Sequence, residues 1–478
     1  MGHITQRPFI IVLTKELLLE VRCVILKDCG WGLRMIIVKY TRKFRNKRNQ
    51  IIGYELIDQN GQTKQVRAEL LKQVIREGKL RVVNLALTSD NRLIDKAEDK
   101  VDVNTGVKEQ KKIEYEIVTR ELIEKCDGGN SLKFKSNIGS IDSVISKVKM
   151  LGVDSIQKIS ETVVMLRDQN KNIIIASTNK WSLPVNSYRL FKYINIQHID
   201  LRGIDTRNVT NMREIFSQCQ AQTLDLYSFN TSNVTDMSGM FSGCDAQTLD
   251  LSSFDTSKVT NMEGMFSQCQ AQTLDLSSFD TSNITEMEVM FWGCQAKTLD
   301  LSSFDTSKVT NMKGMFGGCH AQTLDLSNFN TSNTTGMDGM FKGCHAKTLD
   351  LSSFDTSKVT SMEGMFEGCH AKTLDLSSFN TSKVTSMEGM FKGCHAQTLD
   401  LSSFDTSKVR TMVSMFNNCQ AQTLDLSSFD TSKVRNMVSM FEDCQARTID
   451  LSSFDTSNLM YVYSMFNGCR AKLIGWRG

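Results

Sequence analysis

The sequence predicts an α/β fold: a curved solenoid of eleven 25-residue strand-turn-helix repeats, preceded by one or two small α+β modules. Three observations carry that reading. Leu224-Asp225-Leu226 returns as Leu249-Asp250-Leu251 and continues with little change to Ile449-Asp450-Leu451, and a fixed period in this range marks stacked repeats. Within a unit, Thr248-Leu249-Asp250-Leu251 alternates polar and apolar residues, the pattern of a half-buried strand. Val259, Met262, Met265, Phe266 and Cys269 then follow at spacings of three and four, the pattern of a helix with one apolar face.

Met35-Ile36-Ile37-Val38 opens a well-formed strand and offers an alternative translation start, under which residues 1–34 are spurious. Residues 35–95 read as a small α+β module. Two β-rich runs, 35–44 and 51–57, flank a basic turn, and Asn60-Gly61 marks a second turn. Leu70, Leu71, Val74 and Ile75 then give helical spacing before a strand over 80–87. The charged, weakly apolar stretch 96–109 is the expected linker. A second small α+β module spans 110–182, with a helix around 117–123, another on Val144, Ile145, Val148 and Leu151, and a hairpin joining 162–166 to 173–176. Residues 183–198 place Leu190 and Phe191 one period before Ile215 and Phe216, so they read as an N-terminal capping half-repeat. The eleven full units occupy 199–473, followed by a tail at 474–478.

In one unit the expected core is Leu249, Leu251, Phe254, Val259, Met262, Met265, Phe266 and Cys269. Phe254 ends the strand, and Asp255-Thr256-Ser257 supplies a turn whose side chains bind backbone groups that the bend would orphan. Thr260 and Glu263 stand at capping-box spacing for the helix start. Gly243, Gly293, Gly318 and Gly343 are placed to end the helix, and the column of Gly264 lets neighbouring helices approach. Strands about 4.8 Å apart give a repeat region on the order of 50 Å long.

The chain has 478 residues, 23% of them charged, with a formal net charge of +3. That near-neutral balance suits a folded, soluble protein and gives no electrostatic argument for nucleic acid or an anionic membrane. Eleven of the fourteen cysteines occupy one repeat position, from Cys219 to Cys469; Cys23, Cys29 and Cys126 show no C-x-x-C spacing. The ladder ends the apolar stripe and reads as reduced and buried. Residues 9–13 are too short an apolar run to span a membrane, and no signal peptide or anchor is visible, which places the chain in the cytoplasm if it is complete.

The strings L-D-L-S-S-F-D-T-S, as at 349–357, and M-x-x-M-F-x-G-C, as at 312–319, resemble the BspA-like leucine-rich repeats of bacterial surface proteins, common in Gram-positive bacteria and mycoplasmas. The likeness covers residues 186–473. It implies a leucine-rich-repeat-like solenoid used for adhesion or host and partner binding, often at the cell surface. The departures are local: Ile204 for the Phe, Ile215 and Val462 for the two Met positions, and Thr334 for the Val.

The most provocative column is acidic: Asp225, Asp250, Asp275, Asp300, Asp325, Asp350, Asp375, Asp400 and Asp425, continued by Asp200 and Asp450 at its ends. Carboxylates one rung apart repel unless donors, cations or a basic partner compensate. Hydrogen bonding to nearby Thr, Ser and backbone groups is the bland account, and an extended, basic protein partner is the functional one. Calcium is not expected, because no G-x-D turn accompanies the column. A Cys-His ladder, Cys319-His320 to Cys394-His395, repeats over four units, but adjacent side chains of an extended pair diverge and do not converge as zinc requires. Asn230-Thr231-Ser232 and Asn330-Thr331-Ser332 match the glycosylation pattern through the repeat itself. No phosphate loop, dinucleotide fingerprint or nucleophile elbow is present, so no catalytic residue, cofactor or metal ligand is assigned. The expected function is a non-catalytic adhesion or protein-binding scaffold; the alternative is an intracellular scaffold whose amino-terminal modules carry the specific role.

Overall fold

The computed structural model describes residues 114–148 and 153–476, together with short strands between residues 11 and 94 described by their backbone alone. It divides into two units, Met1–Gln110 and Lys111–Gly478. In the first, Lys39–Arg45, Ile51–Ile57 and Thr63–Arg67 pair in sequence as an antiparallel meander, and Arg81–Val82 and Ala86–Leu87 are two further short strands. The expected helix on Leu70 to Ile75 and the linker 96–109 lie outside the described residues.

The second unit begins with a sheet that runs without a break into the repeats. Val153–Lys158, Val163–Asp168 and Asn172–Ser177 form an antiparallel meander, and Ser131–Lys135 lies parallel to the last of them. On its other edge Ser131–Lys135 pairs in parallel with His198–Asp200, the first strand of the stack. Two helices support this sheet. Arg120–Glu124 is capped by Thr119, whose side chain accepts from the Leu122 amide. Ile141–Val148 packs its Ile141 with Val164, Leu166 and Ala176.

Residues 25 apart pair in parallel and in register through the stack: Thr248 with Thr273, Leu249 with Leu274, and Asn261 with Glu286. The strands are two or three residues long and shrink to a single bridging residue at Leu299, Leu324 and Leu349; in the rung of Thr248, Thr248 and Asp250 are exposed and Leu249 and Leu251 buried. The half-repeat over 183–198 follows the same path, with Ser187 N–H donating to Asn211 O and Phe191 N–H to Ile215 O.

The expected helix does not form: no helix lies within residues 199–473. Its place is taken by two successive turns whose amides alternate in direction. Met265, Ser267 and Cys269 donate back three residues within their rung, to Met262, Gly264 and Phe266 at 3.1, 3.0 and 3.1 Å. Met262, Gly264, Phe266 and Gln268 donate to the next rung, to the carbonyls of Glu286, Glu288, Met290 and Trp292 at 3.1, 2.8, 2.9 and 2.6 Å. A helix would close every amide on the fourth residue before it; here half of them leave the rung. Left-handed residues four apart, Gly264 at φ +59° and Gln268 at φ +55°, turn the chain between steps. Glycine meets this at no steric cost, whereas a side chain there costs about 1 kcal/mol. The glycines expected to end a helix or to admit a neighbour therefore serve this turn, and Thr260 and Glu263 cap nothing. Two turns joined end to end bury residues at the same three- and four-residue spacing as a helical face, and this is why the pattern misled.

Every residue of the expected core is buried, from Leu249 and Leu251 to Cys269. Phe266 stacks between Phe241 and Phe291 with ring centroids 5.8 and 5.7 Å away and planes within 10° and 6°. Such contacts contribute about 0.5–1.5 kcal/mol each beyond the area they bury. Thr256 is buried as well. Its hydroxyl donates to Asp280 O at 2.8 Å and accepts from Asp280 N–H at 2.8 Å, which ties one rung to the next. Thr334, standing where other rungs have Val, is fully buried and donates to Val309 O at 3.0 Å; the polar atom is satisfied and the core tolerates it.

The first rung has no predecessor, and its carbonyls are met from the module. Arg120 Nη1 donates to Leu190 O at 3.3 Å and to Lys192 O at 2.6 Å, groups that inside the stack accept amides of a preceding rung. The last rung leaves Met460, Tyr461, Val462 and Tyr463 exposed.

Two outcomes test this core. Met315→Asp, in a central rung, buries an unpaired charge and is expected to destabilise the stack by about 3 kcal/mol or more; an unchanged melting curve would remove Met315 from the core. Burial pushes the Cys219 thiol up to about 11 and the Cys394 thiol up to about 12, so maleimide labelling of native protein is expected to be slow along the ladder and complete after denaturation. Half-buried Cys469 should react first; uniform fast labelling would place the column at the surface.

Candidate functional site

Strand alternation sets the candidate face. With the leucines turned into the core, Thr and Asp of each rung stand outward on neighbouring columns. Each Asp closes a turn of its own. Asp250 Oδ1 accepts from the Ser252 amide at 3.1 Å and from the Ser252 hydroxyl at 2.6 Å, and the arrangement recurs at Asp275, Asp325, Asp350, Asp375 and Asp400. At Asp300 and Asp425 the amides of Ser302 and Ser427 donate at 3.0 Å.

These donors resolve the repulsion of stacked charges. Donation from the serine hydroxyl, then from its amide, holds Asp275, Asp300, Asp325, Asp350, Asp375, Asp400 and Asp425 below the ordinary carboxylate range. These seven carboxylates are therefore ionised at neutral pH. Its first members carry cations as well: Arg202 meets Asp200 at 2.6 Å and Asp225 at 3.1 Å, and Lys133 of the module meets Asp200 at 3.0 Å. Burial opposes ionisation of Asp200, but the Arg202 and Lys133 donors outweigh it and keep its carboxyl far below the usual range. From Asp250 to Asp425 no ion pair forms among the described residues. Thr248, Thr273, Thr298 and Thr323, with Asp275 and Asp300, line a groove of about 550 Å³ on this face.

The Cys-His ladder divides as its spacing implies. The cysteines are in the core, while the imidazoles of His320, His345, His370 and His395 stack at the surface with centroids 4.3, 4.5 and 4.7 Å apart. Burial and the rings of His320 and His370 push His345 below its usual range, and burial with His395 does the same for His370. Among the described residues no three His, Cys, Asp or Glu are grouped to hold a metal ion, and no helix is long and apolar enough to cross a membrane. Thr231 of the first glycosylation tripeptide is 1% exposed, and Asn230 Oδ1 accepts the Ser232 amide at 3.1 Å; both residues are engaged in the rung.

Two structural roles escaped the sequence reading. The hydroxyl of the Thr256 column reaches a backbone 24 residues away, a partner that a turn motif does not name. Arg120 caps carbonyls some seventy residues ahead, and nothing in its local sequence marks it.

A family profile matches four overlapping stretches of the chain, residues 186–304, 266–376, 294–400 and 368–474. No curated protein and no solved structure matches it. The four stretches together run from the half-rung to the last strand, well over half of the sequence, and the chain belongs to the family described as Mycoplasma protein of unknown function, DUF285.

Proposed function

We propose that the chain is a non-catalytic scaffold, a solenoid of BspA-like leucine-rich repeat type, that binds a protein partner through its strand face. The observation that supports this best is the run of ionised carboxylates from Asp275 to Asp425, each on a rung fixed by its neighbours and each using Oδ1 in its own turn. Near-identical rungs offer the same weak contact many times, and multivalency converts such repetition into affinity. A matching partner is extended or repetitive and carries positive charge. Phosphate-rich partners fit this face poorly, since like charges repel across an interface. Adhesion at a cell surface follows from the likeness to the BspA-like repeats. The module over 110–182 has a structural task in this reading: its sheet continues into the strand His198–Asp200 of the first full unit, and its Arg120 caps the half-repeat before it.

The test replaces Asp300, Asp325, Asp350 and Asp375 together by Asn. Asn already closes the equivalent kind of turn at Asn230 and Asn330, each accepting a serine amide at 3.1 Å, so the fold is expected to survive. Binding of a poly-lysine probe, measured by calorimetry, is expected to weaken by roughly tenfold or more, and raised salt should weaken wild-type binding in the same direction. A variant that unfolds, or that binds the probe as the wild type does, would show the aspartates to be structural.

A further inference from the structure

A second charged ladder runs along the stack on the turn that follows the strand. Around buried Val259, residues 258 and 260 are exposed and share one face. In the first rungs the lysines of this face are spaced by asparagines. Lys258 Nζ donates to Asn233 Oδ1 at 2.8 Å, Lys308 to Asn283 at 2.8 Å, and Lys358 to Asn333 at 2.7 Å. Past Lys358 the spacers stop. Lys383, Lys408 and Lys433 follow on consecutive rungs, and none donates a side-chain hydrogen bond among the described residues.

Two more departures from the repeat fall on the same face and push it the same way. Arg410 and Arg435 replace the exposed threonines found from Thr210 to Thr385, and Asn380, like Asn230 and Asn330 in earlier rungs, stands where the other rungs have aspartate. Between residues 380 and 435 the face therefore holds five cations against two carboxylates, Asp405 and Asp430, whereas between 255 and 308 it holds two lysines against three aspartates. Asp405 and Asp430 accept the Ser407 and Ser432 amides at 2.9 Å and lie in the field of Lys408 and Lys433, and even with both counted the face keeps an excess of cations. Cations about 4.8 Å apart repel one another and gain from an anionic partner of the same pitch.

Pitch separates the candidate partners. Phosphates rise about 3.4 Å apart along a duplex strand, and carboxylates on one face of an extended peptide fall about 6.6 Å apart. The rung stack itself presents carboxylates one rung apart, from Asp250 to Asp425, and those form no ion pair among the described residues. We propose that the basic ladder of residues 383–435 docks a second copy of this chain through the aspartate ladder of its strand face. The inference rests on the binding role given above to that face and names its partner. The two ladders lie on different columns of one molecule, so the contact joins unlike surfaces and leaves each copy able to take another.

Sedimentation velocity on the full chain tests this. Concentration-dependent association is expected at low salt and its loss at high salt, and Lys383→Gln, Lys408→Gln and Lys433→Gln together should shift the protein to monomer while its circular dichroism stays unchanged. A charge exchange keeps the result specific. Lys383→Glu, Lys408→Glu, Lys433→Glu in one chain, and Asp300→Lys, Asp325→Lys, Asp350→Lys in another, are each expected to be monomeric alone and to associate when mixed. Wild-type protein that stays monomeric at low salt would overturn the inference, as would a mixture that does not associate. It would equally fall if the lysine ladder bound an oligonucleotide or poly-glutamate without self-association. Poly-lysine binding lost in the aspartate variant, with association unchanged in the lysine variant, would remove this inference and leave the proposed role of the strand face standing.

Discussion

Everything in the repeat region depends on one constraint: in the turn segment, each rung gives half of its amides to the next rung. A helix is complete in itself and needs only a side-chain contact with its neighbours. A rung that sends Met262, Gly264, Phe266 and Gln268 amides outward has four unmet donors when alone, and buried unmet donors are costly. The rungs are thus stable as a set, and their register follows from the backbone before any side chain is considered. The phenylalanine stack, the buried threonine hydroxyl and the thiol column all inherit that register, which explains why one residue type holds each position through so many rungs.

The sequence made the period, the strand and the identity of the core legible, because burial writes itself as a column. It was ambiguous where two backbones bury the same residues. Met262, Met265, Phe266 and Cys269 satisfy a helical face and a pair of turns equally well, and length did not arbitrate, since the stretch is short for a helix. The deciding mark was the spacing of the glycines. Gly239 and Gly243, or Gly389 and Gly393, sit four apart inside the same short stretch, and a helix interior holding two glycines gives up about 2 kcal/mol. Successive left-handed turns give the same pair a purpose. Rungs with Ser414 and Asn418, or Ser439 and Asp443, at those positions keep the conformation, which shows that the neighbours impose it on residues that do not prefer it.

The candidate site was legible as a column and opaque as chemistry. Alternation correctly turned the aspartates outward, but the geometry that keeps them ionised depends on the serine two residues later folding back onto each one. That contact is local and could have been read from the Asp-x-Ser spacing in Asp250 to Ser252. The cations at the amino-terminal end of the column could not: Lys133 comes from another element, and Arg202 reaches Asp225 only because the rungs lie in register. The neighbouring basic ladder is a subtler case, since it exists as a change in the pattern along the stack and not as a motif in any one unit.

The direction of the turn amides has an electrical consequence. In that strip N–H groups point forward along the stack and the carbonyls they meet point back, so peptide dipoles line up from rung to rung as they do in a helix, although the axis is now perpendicular to the chain. Such a row carries partial negative charge at its first rung and partial positive charge at its last. The guanidinium of Arg120, seated on the carbonyls of Leu190 and Lys192, is therefore a counter-charge as well as a donor. It does for a stack what a basic residue does at the carboxyl end of a helix, and it marks the amino-terminal end of the stack as electrostatically closed.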